Sequence, residues 1–186
     1  VEFLLVKYRD VDRGLAANAL GQVGSEKAIK KLIPLLQDSD WRVRESAVDA
    51  LGKIGSKTAI EKLIPLLKTS YSDVGGRAAE VLGQIGAEIG SETTIEELIL
   101  LLQDSNSYVR GRAAEALGKI GSETVIEQLI PLLKDSYSDV RGRAAEALGK
   151  IGSEKVIEQL IPLLKDSYSD VRGRAAEALG KIVSET

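Results

Sequence analysis

The dipeptide Leu-Gly begins at Leu20, Leu51, Leu82, Leu117, Leu148 and Leu179, in steps of 31, 31, 35, 31 and 31 residues. A fixed period of this length means one supersecondary unit stacked on copies of itself, which restricts the fold more than any other feature of the chain. Residues 109–139 and 140–170 are identical except for Thr124 against Lys155. Such near-identity implies recent duplication or deliberate consensus design.

Each unit reads as two helices. In the first, Val140, Ala144, Ala147, Leu148 and Ile151 share one face at helical spacing. Asp139 stands where an N-cap or first-turn acid is favourable, and Gly152 where a C-terminal glycine belongs. Ser153 is placed to cap the second helix, with Glu154 in its positive first turn. Val156, Ile157, Leu160, Ile161, Leu163 and Leu164 then form a broad apolar stripe. Two such helices cannot cover each other completely, so neighbouring pairs stack into an all-α solenoid. Gly142, Ala145 and Gly149 make a small-residue stripe that lets the next first helix approach closely. Pro34, Pro65, Pro131 and Pro162 share one position near the middle of the second helix, opposite its apolar stripe. A proline there removes a backbone bond and predicts a bend, at about 3 kcal/mol in an ordinary helix interior.

The segments VRESAVDALGKIGS, VRGRAAEALGKIGSE and AIEKLIPLLKTS resemble HEAT-like repeats of the short phycobilisome-lyase type, and the artificial consensus arrays built from that family. The resemblance implies a right-handed α-solenoid of stacked two-helix repeats, with second helices lining a concave inner surface. It also implies that Arg44, Arg110, Arg141 and Arg172 pair with loop acids such as Asp38, Asp104, Asp135 and Asp166, a ladder whose rung is missing at Gly75. The expected organisation is a single array over 1–186. It opens with a half-repeat at 1–11 and continues through repeats 12–42, 43–73, 74–108 (with a four-residue insertion), 109–139 and 140–170. A half-repeat at 171–186 closes it. Neither end carries a polar cap repeat, which predicts end-to-end self-association.

Composition narrows the function. The chain contains no His and no Cys. It therefore lacks the commonest general base and transition-metal ligand, and it has no thiol chemistry or disulfide framework. The expectation is a non-catalytic protein without metal or cofactor. Lack of disulfides fits a cytoplasmic setting, and no run is apolar enough for a membrane span. Met is absent even at position 1, and the expectation is a piece of something longer. The net charge of −3 hides an asymmetry: residues 1–68 carry 12 Lys/Arg against 9 Asp/Glu, and residues 69–186 carry 13 against 19.

Binding is expected on the exposed face of the second helices. Its first column is Lys30, Glu61, Glu96, Glu127 and Glu158; its second is Lys31, Lys62, Glu97, Gln128 and Gln159. Gln37, Lys68, Gln103, Lys134 and Lys165 flank them. One reading is a solvated helix face. The other is a polar groove for an extended or helical peptide, with the charge pattern setting register. Trp41, Tyr71, Tyr108, Tyr137 and Tyr168 fall in the turns between repeats and predict an aromatic edge. Either each ring covers the apolar end of a repeat, or the row is a contact ridge.

A protein–protein interaction scaffold or binding module is the leading function. A bilin-lyase or chaperone-like subunit holding a chromophore-carrying protein is the alternative the resemblance implies. A nucleic-acid-binding array is disfavoured by the acidic balance after residue 68. In the irregular unit, GQIGAEIGSE contains four extra residues, close to one helical turn. Either the first helix lengthens by a turn, or Gly86 opens a looped hinge.

Overall fold

A computed structural model describes residues 10–89 and 92–184, which hold helices and no strand. The chain divides between Leu82 and Gly83 into two compact units. The first contains α1 (Asp10–Val23), α2 (Glu26–Leu32), α3 (Trp41–Ile54) and α4 (Lys57–Leu63), and the division falls within α5 (Ser72–Ile89). The second unit continues with α6 (Glu92–Leu101), α7 (Ser107–Ile120) and α8 (Ile126–Leu129). It ends with α9 (Ser138–Ile151), α10 (Ile157–Leu160) and α11 (Ser169–Ser184). The fold is an all-α solenoid: α1 packs on α3 in the first unit, and α7, α9 and α11 pack in succession in the second.

Close approach between first helices depends on the Leu-Gly glycine. A Cβ built at Gly118 would lie 2.5 Å from the Ala147 Cα, and one at Gly149 2.6 Å from the Ala178 Cα. Gly21 meets Ala50 in the same way, at 2.8 Å. These are backbone atoms, which cannot swing aside, so only glycine fits. Gly142 plays a different part, because the atom facing its missing Cβ is the Arg174 Cδ at 2.9 Å.

Helix ends obey the expected chemistry in most places. Gly24, Gly55, Gly121 and Gly152 have φ between 57° and 77°, the left-handed region that glycine enters without steric penalty. Ser25 and Ser56 accept from the amides of Ala28 and Ala59, each at 3.2 Å. Ser153 occupies the same position but makes no side-chain cap bond, and residues Glu154–Val156 form a 3-10 turn before α10. The β-branched Val125 and Val156 stand there in place of Ala28 and Ala59, and β-branching weakens the α preference.

The prolines do more than bend a helix. Each lies at the start of a 3-10 segment: Ile33–Gln37, Ile64–Lys68, Ile130–Lys134 and Ile161–Lys165. Proline has no N–H and clashes with the carbonyl four residues back, so the α ladder stops and the chain tightens. Leu100 takes the proline position in the irregular repeat, and α6 runs through it to Leu101 as continuous α-helix.

The four extra residues lengthen a helix. α5 has 18 residues where α3, α7 and α9 have 14 each. Ala87, Glu88 and Ile89 are helical, while Gly90, the last inserted residue, lies outside the described residues. Gly86 is buried inside the helix, with the Ile120 side chain 2.7 Å from the place of its missing Cβ.

Candidate functional site: the exposed face of the second helices

The apolar stripe of each second helix decides which residues remain outside. Ala28, Ile29 and Leu32 are buried on α2, as are Ala59, Ile60 and Leu63 on α4. Lys30, Glu61 and Lys62 consequently face solvent, with Lys31 half-buried. In the second unit Leu98 and Leu101, Val125 and Leu129, and Val156 and Leu160 form the buried side. Glu96, Glu97, Glu127, Gln128, Glu158 and Gln159 are exposed. The first unit thus presents Lys30, Lys31 and Lys62 with one acid, Glu61, whereas the corresponding columns of the second unit contain only acids and amides.

Between the last two proline-containing segments this face is concave. A groove of about 450 Å³ is lined by the apolar Ile130, Leu133, Pro162 and Leu163 together with Lys134, Glu158, Gln159 and Asp166. Two expected binding residues, Glu158 and Gln159, are therefore brought together with an apolar surface. The 3-10 segments supply that surface, since tightening the chain after Leu129 and Leu160 places Ile130, Leu133 and Pro162 along the groove.

The turns carry a different apparatus. Arg110 donates to the Asp135 carboxylate through Nε at 2.8 Å and Nη2 at 2.9 Å, while its Nη1 donates to the Asp104 carbonyl at 2.8 Å. Arg141 repeats the pattern with the Asp166 carboxylate at 2.7 and 2.9 Å and the Asp135 carbonyl at 2.8 Å. The ladder implied by the resemblance therefore needs a correction. Each arginine takes only the backbone carbonyl of the acid in its own loop, and its carboxylate partner lies one loop further on. A fork with five donors can bridge both sites. Arg13 gives the Asp38 carboxylate the same grip at 2.8 and 2.9 Å. Arg44 would reach residue 69, but Thr69 stands there, so it donates to Asp73 at 3.0 Å instead. Arg172 donates to the Asp166 carbonyl at 2.8 Å. Gly75 supplies no guanidinium, so the irregular repeat has no arginine at the ladder position.

These contacts shift titration. Arg141 and Arg13 hold the Asp166 and Asp38 carboxyls below the usual carboxylate range, against the opposing effect of burial. Burial pushes Asp135 upward, yet hydrogen bonds from Arg110 and the Tyr137 amide outweigh it, and the net shift is downward.

The aromatic edge belongs to the same apparatus. Arg44 stacks over Tyr71 at 4.5 Å, and Arg110 and Arg141 over Tyr137 and Tyr168 at 5.7 Å. Arg112 covers Tyr108 at 4.9 Å, and Arg42 covers Trp41 at 5.6 Å. Tyr108 is half-buried, whereas Trp41, Tyr71, Tyr137 and Tyr168 keep 41–57% of their surface exposed. Each ring presents one face to a cation. A further set of ion pairs links successive first helices: Arg77 with Asp49, Arg143 with Glu115, and Arg174 with Glu146 at 2.6 Å. The motif R-A-A-E, recurring with the repeat, contains the signal for these pairs, since an arginine of one unit lies 28 residues after an acid of the previous one. Among the described residues no group of His, Cys, Asp or Glu is placed to hold a metal ion.

The family model for HEAT repeats matches residues 2–83, 61–139 and 126–186. The chain belongs to the HEAT-repeat family. No curated protein sequence matches this HEAT-repeat chain. Among solved structures it is similar to an engineered protein at 29% identity and a TM-score of 0.55, covering 98% of this chain and 96% of that one. It is also similar to the complex of CpcE and CpcF of phycocyanin lyase from a Nostoc species. That match has 28% identity and a TM-score of 0.58, with coverage of 97% and 74%. The Escherichia coli protein YibA matches in fold, at 23% identity and a TM-score of 0.64, over 98% of this chain and 71% of that one. No helix among the described residues is long and apolar enough to cross a membrane.

Proposed function

We propose that this HEAT-repeat protein is a non-catalytic binding module, a single array engaging a protein or peptide through the exposed face of its second helices. One observation carries the reading: Glu158 and Gln159 line a groove together with Ile130, Leu133, Pro162 and Leu163. An apolar centre with a polar rim is the usual anatomy of a recognition surface. Absence of cysteine supports a cytoplasmic setting. The acidic columns of the second unit oppose nucleic-acid binding, which needs a sustained positive track.

The test is a pull-down with the chain as bait, repeated with Lys31→Glu/Lys62→Glu and with Glu127→Lys/Glu158→Lys. Capture weakened by either double reversal supports the face. Capture unchanged by both overturns it.

The phycocyanin-lyase likeness supports a second reading, a subunit that holds a chromophore-carrying protein rather than transforming it. A bilin-dependent absorbance change in the captured complex would favour it. The face formed by the Ile161–Lys165 segment and α11 favours self-association as an added property. Leu164 is 40% exposed where its counterpart Leu133 is 4%, and a Cβ at Gly180 would meet nothing within 4 Å. Sedimentation should reveal a mass that rises with concentration, and a constant monomer mass contradicts it.

A further inference from the structure

The groove in the second unit selects among peptides. It runs between neighbouring proline segments, with Ile130 and Leu133 from one repeat and Pro162 and Leu163 from the next. Its charged lining is Glu158 and Asp166 against one cation, Lys134, and Glu127 occupies the repeat position of Glu158 one unit earlier. Both are exposed, as is Glu96 at the equivalent place on α6, so the column beside the apolar surface presents a carboxylate at every repeat. Charge complementarity calls for cations on the occupant, and the apolar lining calls for non-polar residues between them.

Repeat spacing fixes how far apart those cations stand. Packed helices lie roughly 8–10 Å apart, so successive column positions are separated by about that distance. A polyproline II segment rises about 3.1 Å per residue with three residues per turn, and therefore returns to the same face after about 9 Å. An α-helix needs two turns, about 10.8 Å, to do so. A β-strand places residues three apart on opposite faces. The polyproline II repeat falls within that spacing without a change of face, whereas two helical turns overshoot it and a strand changes face.

We infer that the second unit binds a basic segment in the polyproline II conformation, with Lys or Arg at every third residue facing Glu96, Glu127 and Glu158. Apolar or proline residues of that segment lie on Ile130, Leu133, Pro162 and Leu163. The inference rests on the proposed binding face and deepens it by naming the partner chemistry.

The probes are fluorescently labelled twelve-residue peptides of repeated Lys-Pro-Pro and of repeated Lys-Pro, titrated against the full chain by anisotropy. Lys-Pro carries more charge, so non-specific attraction ranks it first. The expected result is the reverse, with Lys-Pro-Pro bound about tenfold more tightly. Glu127→Lys/Glu158→Lys should remove that binding, and the neutral Glu127→Gln/Glu158→Gln should weaken it; an unchanged unfolding midpoint verifies that each variant is folded. Lys-Pro bound as tightly as Lys-Pro-Pro, or binding unaffected by both variants, overturns the inference. Failure of every lysine peptide also overturns it. The pull-down with the Lys31/Lys62 and Glu127/Glu158 reversals separately decides whether the face binds anything.

Discussion

The regular repeat at 109–139 and the irregular one at 74–108 contain the same phrase, L-G-x-I-G, and fold it in two ways. In the regular repeat Gly121 turns left-handed at φ 73° and ends α7. In the irregular repeat Gly86 stays inside α5, which continues to Ile89. The glycine is the same, but its C-terminal neighbours differ. Ser122 offers a side-chain acceptor for the next helix, whereas Ala87-Glu88-Ile89 offers another turn of helix-compatible residues. A C-terminal glycine permits a helix to stop, and the residues after it determine whether it does. The second helices make the same point, since Pro131 opens a 3-10 segment while Leu100 leaves α6 uninterrupted.

Exchanging these residues should break the comparison. Leu100→Pro puts the regular residue into the continuous helix and is expected to cost about 3 kcal/mol. Denaturant unfolding reads it, and a negligible loss would mean that α6 is already interrupted.

The arginine ladder comes next in size. Asp166→Ala removes a bidentate partner of Arg141 and should destabilise by about 2 kcal/mol, the scale of hydrogen bonds to a charged group. The pH dependence has a definite sign. Asp38, Asp135 and Asp166 have lowered folded-state pKa values, so below the ordinary value the unfolded chain binds more protons. Their stabilisation is complete above about pH 4 and is lost as pH falls through the folded values. Unfolding midpoints measured from pH 6 downward should decline there, and less steeply in Asp166→Ala.

The smallest effects have opposite signs at matched positions. Gly152→Ala places a Cβ at φ 77° and should cost about 1 kcal/mol. Gly86→Ala gains helix propensity of about 1 kcal/mol, offset by a shift of the Ile120 side chain, and should be neutral or slightly stabilising. Equal losses at both positions would contradict the assignment of Gly86 to the helix interior.

Much of the architecture is legible in the sequence alone. Leu20, Leu51 and the later Leu-Gly pairs set the register, and the apolar stripe of each second helix leaves Lys30, Glu127 and Glu158 outside, where they are found. The arginine partners are not legible, because Arg141 has an acid in its own loop, Asp135, and another in the next, Asp166, and the repeat pattern does not choose between them. Guanidinium reach decides that choice, and periodicity contains no reach. The groove is legible only as a polar face. Ile130 and Leu133 are legible as apolar-stripe residues through their counterparts Ile161 and Leu164, but their meeting with Pro162 and Leu163 in one groove follows from the 3-10 segments and not from helical spacing.

The central claim is that the second-helix face is the binding surface, and amide chemical-shift mapping of the labelled chain with its captured partner tests it most directly. The account predicts perturbations concentrated at 28–37, 59–68, 94–103, 125–134 and 156–165, in one or both units. Perturbations confined to the turns around Tyr71, Tyr137 and Tyr168, with the second helices unchanged, would contradict it.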